Sequence, residues 1–586
     1  MPDYVAPIED IRFLLAEVFD FDGQMAELFP EQGFDTDLAI NILEEAGRFC
    51  GEVLAPLNRP GDEEGSRLEN GRVVTPKGFA EAYGAFQAAG WPALGGTSQY
   101  GGQGLPRAVQ RLVEEMLSAS NLAFSLFPGL THGAVEALSR HGSEKLKDTY
   151  LPKMVSGEWT GVMALTEGSA GTDLGLLKTQ ARPRDDGSYA ITGTKIFISS
   201  GDQDFGGNIV HLVLARLPDA PQGVKGISLF LVPKFLPGAD GGVGEPNGFS
   251  VGALEHKMGI HAQPTCVMNY DGATGWLVGE PNRGLNAMFT MMNDERLSVG
   301  IQGLGLAAGA YQKAAAYART RLQGRSADGR RGPVPIIEHA DVRRMLLLSR
   351  SFVEAGRALM VWTALKMDVA ERHADPAVRA DAEGLVALLT PVIKAAFTDL
   401  GFESTVQSQQ VFGGHGYIRE WGVEQYVRDT RITQIYEGTN GVQAADLVGR
   451  KLGMENGRLA ERFFDLVEAD LGAASTPEAA EIAQPVAKAL GQLRSVTRRL
   501  QVGGQDATES GAAAVDYLRL FALVALGWMW ARMAAAAGAG EPTPVRRAKL
   551  AVARFYGARV LPQTLGLAEA IAAGAAPIMA LDEAAY

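Results

Sequence analysis

The chain has 586 residues, of which 46% are hydrophobic and 21% charged, and 54 Lys and Arg against 68 Asp and Glu leave a net charge of −14. That length exceeds what one core fills, so three or four domains are expected, and the acidic balance gains nothing from releasing counterions on nucleic acid or from an anionic membrane surface. Two distant cysteines, Cys50 and Cys266, exclude a disulfide framework and a cysteine metal cluster, and they fit a reducing compartment.

The N-terminus, MPDYVAPIEDIRFLLAEVFDFDG, is acidic where a signal peptide is basic and has no cleavage-like site, so the cytoplasm is the expected location. Residues 1 to about 160 read as helical: DTDLAINILEEAGRFCGEVLAPLNR repeats apolar residues at three- and four-residue spacing, and LGGTSQYGGQGLP interrupts the pattern,. From Ser169 to Trp276 the character changes. KTQARPR, DDGS and YAITGTKIFIS read as strand, turn, strand, and IVHLVLARL and KGISLFLVPK are short branched runs bounded by turn residues,. Hairpin-length turns predict an antiparallel β domain.

After Gly284 the helical period returns in three long segments, which predicts a bundle,. From Leu452 to Tyr586 more Ala-rich helix follows, close to electrically neutral, with a break at VGGQDATESG. FALVALGWMWA, Phe521 to Ala531, lies between Arg519 and Arg532; it is shorter than the ~20 residues of a membrane span and reads as a buried helix. No βαβ alternation is present, so a Rossmann fold is not expected.

Three motifs carry chemistry. In MALTEGSAGTDLGLLKTQA, Thr166, Ser169 and Thr172 offer hydroxyls, Gly168 and Gly171 let backbone approach a ligand, and Asp173 ends the loop. It suits a ligand rich in acceptors, such as a flavin edge and pyrophosphate; taken alone it is a polar turn before a strand. GTKIFISSG places Phe197 and Ser199 on one strand face,, an aromatic and a hydroxyl that suit a flavin ring; taken alone, Phe197 is an ordinary core residue. In QVFGGHGYIREWGVEQYVRDTRITQIYEGTNGVQ, Gly413, Gly414 and Gly416 form a turn suited to adenine or phosphate,. Glu437 follows Ile435 and Tyr436 at an element end. Partial desolvation there raises a carboxylate toward the pKa that a base for a carbon acid needs; taken alone, Glu437 is a surface residue before a turn.

Together and in this order, TEGSAGTD, KIFISSG, KMGIHAQPTC, DERLSVGIQGLG and QVFGGHGY…RDTRITQIYEGTN resemble the acyl-CoA dehydrogenase family from about Asp35 to Gly453. The resemblance implies a mainly α fold: an N-terminal extension (1–34), a helical domain (35–160), a central β barrel (161–280), a helical bundle (281–451) and an extra helical domain (452–586). It implies FAD between barrel and bundle and α,β-dehydrogenation of an acyl-CoA thioester to a trans-2-enoyl-CoA. Carried over by position, Glu437 is the catalytic base. Thr166, Gly171 and Thr172 form the flavin loop, and Phe197 and Ser199 face the flavin. Arg321 meets the pyrophosphate across a dimer, Gln410, Gly413 and Gly414 lie at the partner's adenosine, Thr439 contacts FAD, and Arg296 lines the substrate side. The implied partners are an electron-transfer flavoprotein and a second copy of the chain, with no metal.

There are departures. Gly168 stands where the family usually has Pro, Phe197 where many members have Trp, and His261 where a basic residue follows KMGI. After the base, Asn440-Gly441 replaces the usual contact, so its Gln is not carried over; RLQGR lacks the usual Phe-Gly. The KMGIHAQPTCVMNYDGATGWLVGE segment, RLQGR and the long C-terminal region resemble a branch acting on a methylthio-substituted short acyl group, 3-methylthiopropanoyl-CoA; a medium or long fatty acyl-CoA and an aromatic-substituted acyl group are the open alternatives. Two rival functions within the superfamily are an acyl-CoA oxidase and a non-catalytic DNA-associated flavoprotein; the net charge and Glu437 weigh against the second.

Overall fold

The computed structural model describes residues 4–238, 241–326, 329, 332–503 and 506–586. They form two compact units, one of residues 52–106 and 120–298, the other of 1–51, 107–119 and 299–586.

The first unit contains a seven-stranded sheet: β1 (Trp159–Ala164), β2 (Gln180–Pro183), β3 (Tyr189–Ser199), β4 (Asn208–Arg216), β5 (Ile227–Pro233), β6 (Phe249–Leu254) and β7 (Thr265–Val278). β7 pairs with β3, β3 with β2, β2 meets β4 at Gln180 and Arg216, β4 pairs with β5, and β5 returns to β7. Five strands therefore close a ring, which is the expected barrel. β1 and β6 attach outside it, on β4 and β7.

The expectation of a purely antiparallel domain needs correction. β1 runs parallel to β4, and so does β2 at its single contact. Residues 165–207 intervene between β1 and β4, a crossover length that permits parallel pairing where a hairpin would not.

β4 reads as an unbroken apolar run because both of its faces are covered. Val210, Leu212 and Leu214 pack with Leu138, Tyr150 and Met154 of two helices. The alternate residues Ile209, Val213 and Ala215 pack in the barrel with Ile191, Phe230 and Met268,. A hairpin pairing Arg67–Glu69 with Arg72–Val74 lies in the region expected to hold only helix and loop. Asn70 and Gly71, both at positive φ, make its turn, and LENGRVV carries the Asn-Gly hairpin signal.

In the second unit the three expected long helices are present, as Gly284–Thr320 (from Val299 onward in this unit), Ala340–Arg372 and Pro376–Val411. The first and third approach backbone to backbone: a Cβ on Gly401 would lie 2.5 Å from the Gly303 carbonyl. The helix Asn440–Gly449 packs on Pro376–Val411 and on Ala507–Gly538.

The Phe521–Ala531 run belongs to that last helix, which has 32 residues. The expectation that its apolar length falls short of a span is therefore corrected, since flanking alanines extend it. Ala507–Gly538 and Pro376–Val411 are both long and apolar enough to cross a membrane, and 83% and 72% of their apolar windows are buried within the protein. Helices Pro477–Gly503, Pro544–Phe555 and Gln563–Ala572 pack around Ala507–Gly538, which is why it is apolar on all sides. The indole N–H groups of its buried Trp528 and Trp530 donate to Asp470 and to the Ser351 carbonyl. The expected break at VGGQDATESG includes Gly504 and Gln505, which lie outside the described residues.

Candidate active site

The predicted residues fall into two sets, one in each unit. In the barrel unit, the loop after β1 is tied to β3. The Ile196 N–H donates to the Thr166 carbonyl at 2.9 Å, and Glu167 and Ala170 exchange backbone hydrogen bonds that close a tight turn. The Glu167 carboxylate turns inward, where it accepts from the Lys178 and Thr179 N–H groups, the Thr179 hydroxyl and the Lys195 ammonium. Lys195 also donates to the Leu165 carbonyl at 2.9 Å. Asp173 caps the following turn by accepting from the Gly175 N–H.

Gly171 and Thr172 are exposed and Thr166 is half-buried. A Cβ on Gly168 or Gly171 would meet no protein atom, so the outer side of this loop is open to a ligand.

β3 contains a bulge. Cys266 pairs with Ile198 and Met268 with Lys195, which leaves Ile196 and Phe197 opposite one residue,. Phe197 has φ +59° and is 59% exposed, whereas Lys195 and Ile198 are buried. A bulky residue in the left-handed region costs on the order of 1–3 kcal/mol and is retained where the surroundings or the function demand it. Strict alternation would have put Lys195 on the same face as Phe197; the left-handed residue breaks the alternation and sends the lysine inward. Ser199 is half-buried, as is Arg296 on the Gly284–Thr320 helix, whose guanidinium lies 3.4 Å from the Asn293 amide oxygen. An exposed, strained aromatic ring beside an open hydroxyl- and glycine-bearing loop fits a flavin, which Phe197, Ser199, Thr166, Gly171 and Thr172 could hold. Among the described residues, no group of three His, Cys, Asp or Glu is placed to hold a metal.

In the helical unit, Glu437 lies in the short connection between the turn Ile432–Gln434 and the helix Asn440–Gly449. Its φ is +56°, and Gly438 follows at +85°. Three sets of contacts fix this connection. The Tyr436 hydroxyl donates to the Gln302 amide oxygen. Asn440 accepts from the fully buried Lys394 at 2.8 Å and donates to Asp399 and Thr398. Gln443, itself buried, donates to the carbonyls of Glu437 and Gly438. Thr439 is exposed and its hydroxyl oxygen accepts from the Val442 N–H, capping the helix. Sequence reasoning missed Lys195, Gln302, Lys394 and Gln443. The available signal for Gln443 was its place in the first turn of a helix that starts beside the base.

Gln410 is the penultimate residue of the Pro376–Val411 helix, and Gly413 and Gly414 begin the turn Gly413–Tyr417, with Gly413 at φ +57°. This turn is joined to the helix end that carries Arg321. Tyr317, one helical turn earlier, stacks on Phe412 with ring centroids 4.2 Å apart and contacts His415 Nδ1 at 2.9 Å. Arg321, Gln410 and Gly413 are exposed.

Four family models match the chain in order: acyl-CoA dehydrogenase N-terminal domain over 36–158, middle domain over 162–273, C-terminal domain over 282–452, and "acetyl-CoA dehydrogenase C-terminal like" over 463–582. The chain is 45% identical to 3-methylmercaptopropionyl-CoA dehydrogenase of Ruegeria pomeroyi over 95% of its own length and 96% of that protein's. It is 32% identical to a broad-specificity linear acyl-CoA dehydrogenase of Mycobacterium tuberculosis over the whole of both chains. In fold it is similar to an acyl-CoA dehydrogenase of Bacillus anthracis complexed with FAD, with a TM-score of 0.71 at 19% identity, over 93% of this chain and 90% of the other.

Proposed function

Since the chain belongs to the acyl-CoA dehydrogenase family and is an FAD-dependent oxidoreductase acting on acyl-CoA, we propose that Glu437 is its base, that 3-methylthiopropanoyl-CoA is its substrate, and that an electron-transfer flavoprotein takes its electrons. The observation that carries the first point is Glu437 itself: a non-glycine residue held at φ +56° in a connection anchored on three sides.

The α C–H of a thioester is a weak acid, so its removal needs a fixed carboxylate and stabilisation of the enolate-like oxygen. Glu437 takes the α-proton. Its backbone N–H is a donor for the thioester oxygen, and one preorganised donor of this kind is worth about 3 kcal/mol. FAD, held there, would supply the acceptor for the β-hydride. Phe197 supplies an apolar surface for its ring and the 166–172 loop the polar contacts. Arg296 lines the substrate side. Thr439 contributes a further hydroxyl to FAD. Arg321, Gln410, Gly413 and Gly414 are exposed contacts for the FAD of a second copy, which makes the working form at least a homodimer, and the two buried, unlinked cysteines support a cytoplasmic location.

The methylthio substrate is supported by the 45% identical relative. A second reading, a linear fatty acyl-CoA, is favoured by the 32% identical relative that matches end to end. Anaerobic titration of the yellow holoenzyme with methylthiopropanoyl-, butanoyl- and octanoyl-CoA tests both. Faster flavin bleaching by the first supports the proposal, and faster bleaching by a straight chain supports the second reading. Glu437→Gln should retain FAD and acyl-CoA yet lose flavin reduction by a factor of about 10²–10⁴. Bleaching at a near-normal rate in that variant would remove Glu437 from its role.

A further inference from the structure

Glu437 and Gly438 are successive left-handed residues, at φ +56° and +85°. Both carbonyls are bonded by one side chain, the Gln443 amide, whose Nε2 lies 3.2 Å from the Glu437 oxygen and 3.4 Å from the Gly438 oxygen. Gln443 is 1% exposed and sits in the first turn of the Asn440–Gly449 helix, its own N–H bonded to the Thr439 carbonyl at 3.1 Å. The fit is close: a Cβ on Gly438 would stand 2.7 Å from Gln443 Nε2. Glycine is thus required at 438 by its backbone angle and by this amide together.

The orientation of the amide follows from its partners. Both carbonyls only accept, so the NH₂ must face them. Gln443 Oε1 is then left buried with no hydrogen-bond partner among the described residues. An unsatisfied buried acceptor is uncommon in a folded protein and calls for a reason. A residue present only to fill space here would be Leu or Met, which bury the same volume without an orphan oxygen. The gain that offsets the orphan oxygen is two donated hydrogen bonds to a strained pair of peptides, one of which carries Glu437.

We infer that Gln443 is a positioning residue for the reaction, holding the Glu437–Gly438 backbone so that the carboxylate is presented in one conformation. The inference rests on the reading of Glu437 as the base. Without the amide, both carbonyls lose their fixed donor and the turn gains conformers in which the carboxylate is misplaced. A misplacement of about 1 Å at a reacting group costs a factor of about 100 in rate. Binding of acyl-CoA and FAD, which does not depend on where the carboxylate points, stays close to normal.

The test uses the FAD-loaded full chain. Gln443→Met keeps length and apolar volume and removes both donors. Single-turnover flavin reduction by the substrate found in the titration above should fall about 100-fold, with KM and FAD content within about threefold of wild type. In a Glu437→Gln background the same substitution should lower the residual rate no further, because a residue acting through Glu437 has nothing left to act on. Gln443→Glu gives a second readout that holds even if the Met variant folds poorly. A protonated carboxyl donates one hydrogen bond to the Glu437 carbonyl and an ionised one donates none, so flavin reduction in this variant should fall as pH rises through the new carboxyl's titration, a limb absent from wild type. Wild-type rates in Gln443→Met, or equal further losses in both backgrounds, would overturn the inference. If Glu437→Gln itself reduces flavin normally, the base assignment fails instead, and the two failures are told apart.

Discussion

The Glu167 carboxylate and the Lys195 ammonium form a buried ion pair 2.9 Å long that ties the loop bearing Thr166, Gly171 and Thr172 to the strand bearing Phe197 and Ser199. Burial by itself would raise the Glu167 carboxyl, but the lysine and the hydrogen bonds from Thr179 and Lys178 outweigh it and hold it below the usual carboxylate range. Burial pulls Lys195 down to about 8 against the opposing pull of Glu167, so both groups are charged at neutral pH. Lys195→Met leaves a buried carboxylate without its cation and is expected to cost about 3–5 kcal/mol, with loss of FAD. The pair Lys195→Met and Glu167→Gln removes the uncompensated charge and should cost less than Lys195→Met alone. Thermal melts and the flavin-to-protein absorbance ratio check both statements.

Phe197 sets conformational cost against function. Phe197→Gly removes the left-handed penalty, on the order of 1 kcal/mol, and also removes the exposed ring. The apoprotein should melt no lower than wild type, while FAD affinity falls about tenfold, or ~1.4 kcal/mol. A variant that binds FAD as tightly as wild type would show that the ring does not contact the flavin.

Asp368 supplies the acceptor that Pro106 lacks, taking the Arg107 N–H at the start of the Arg107–His141 helix. Burial pushes its carboxyl up to about 7, against the opposing effect of Arg107. In the unfolded chain an aspartate titrates near 3.9. Between these values the folded state holds a proton that the unfolded state has released, so the contribution of Asp368 is fully present below about pH 4 and is lost as pH rises to about 7. Asn keeps the acceptor and does not ionise. Asp368→Asn should therefore gain stability relative to wild type as pH rises from 4 to 8, by up to ~4 kcal/mol, measured as the difference in melting temperature across that range. A difference independent of pH would mean that Asp368 stays ionised in the folded protein.

Lys549, from the helix Pro544–Phe555, is 1% exposed and bonds Glu354 at 2.8 Å as well as Asp10 near the N-terminus. Asp10 also pairs with Arg357 at 2.5 Å, and Arg357 with Glu115. Lys549→Met leaves the buried Glu354 with Arg350 and the half-buried Asp10 with Arg357 as their remaining cations, and should destabilise by about 1.5–3 kcal/mol,. Adding Asp10→Asn should restore part of the loss, as chemical denaturation of the single and double variants will show.

The motifs were legible through their order, since each string is ambiguous alone and only the succession of hydroxyls and glycines in TEGSAGTD, an aromatic and a hydroxyl two apart in KIFIS and an acid before a glycine in IYEGTN points to one chemistry. The long helices were legible through runs of thirty or more residues without strand-like alternation, and Ala340–Arg372 also through an amphipathic period that the more uniformly apolar Gly284–Thr320 and Pro376–Val411 largely lack,. Parallel β1 on β4 was not, since pairing direction depends on the route of residues 165–207 and not on either strand.

The sequence by itself determined the order of domains, the candidate base and the residues proposed to face the flavin, because these reside in residue identity and short spacing. Only the tertiary structure decided how they are held. A period-two reading assumes that every strand residue lies in the β region, and one left-handed residue at Phe197 reverses the faces and sends Lys195 inward to Glu167. The hold on Glu437 comes from Gln302, 135 positions away, from Lys394, and from Gln443. Lys549 meets Asp10 from 539 positions away. Buried polar groups must find partners wherever folding brings them, and nothing in the local sequence marks which distant residue that will be.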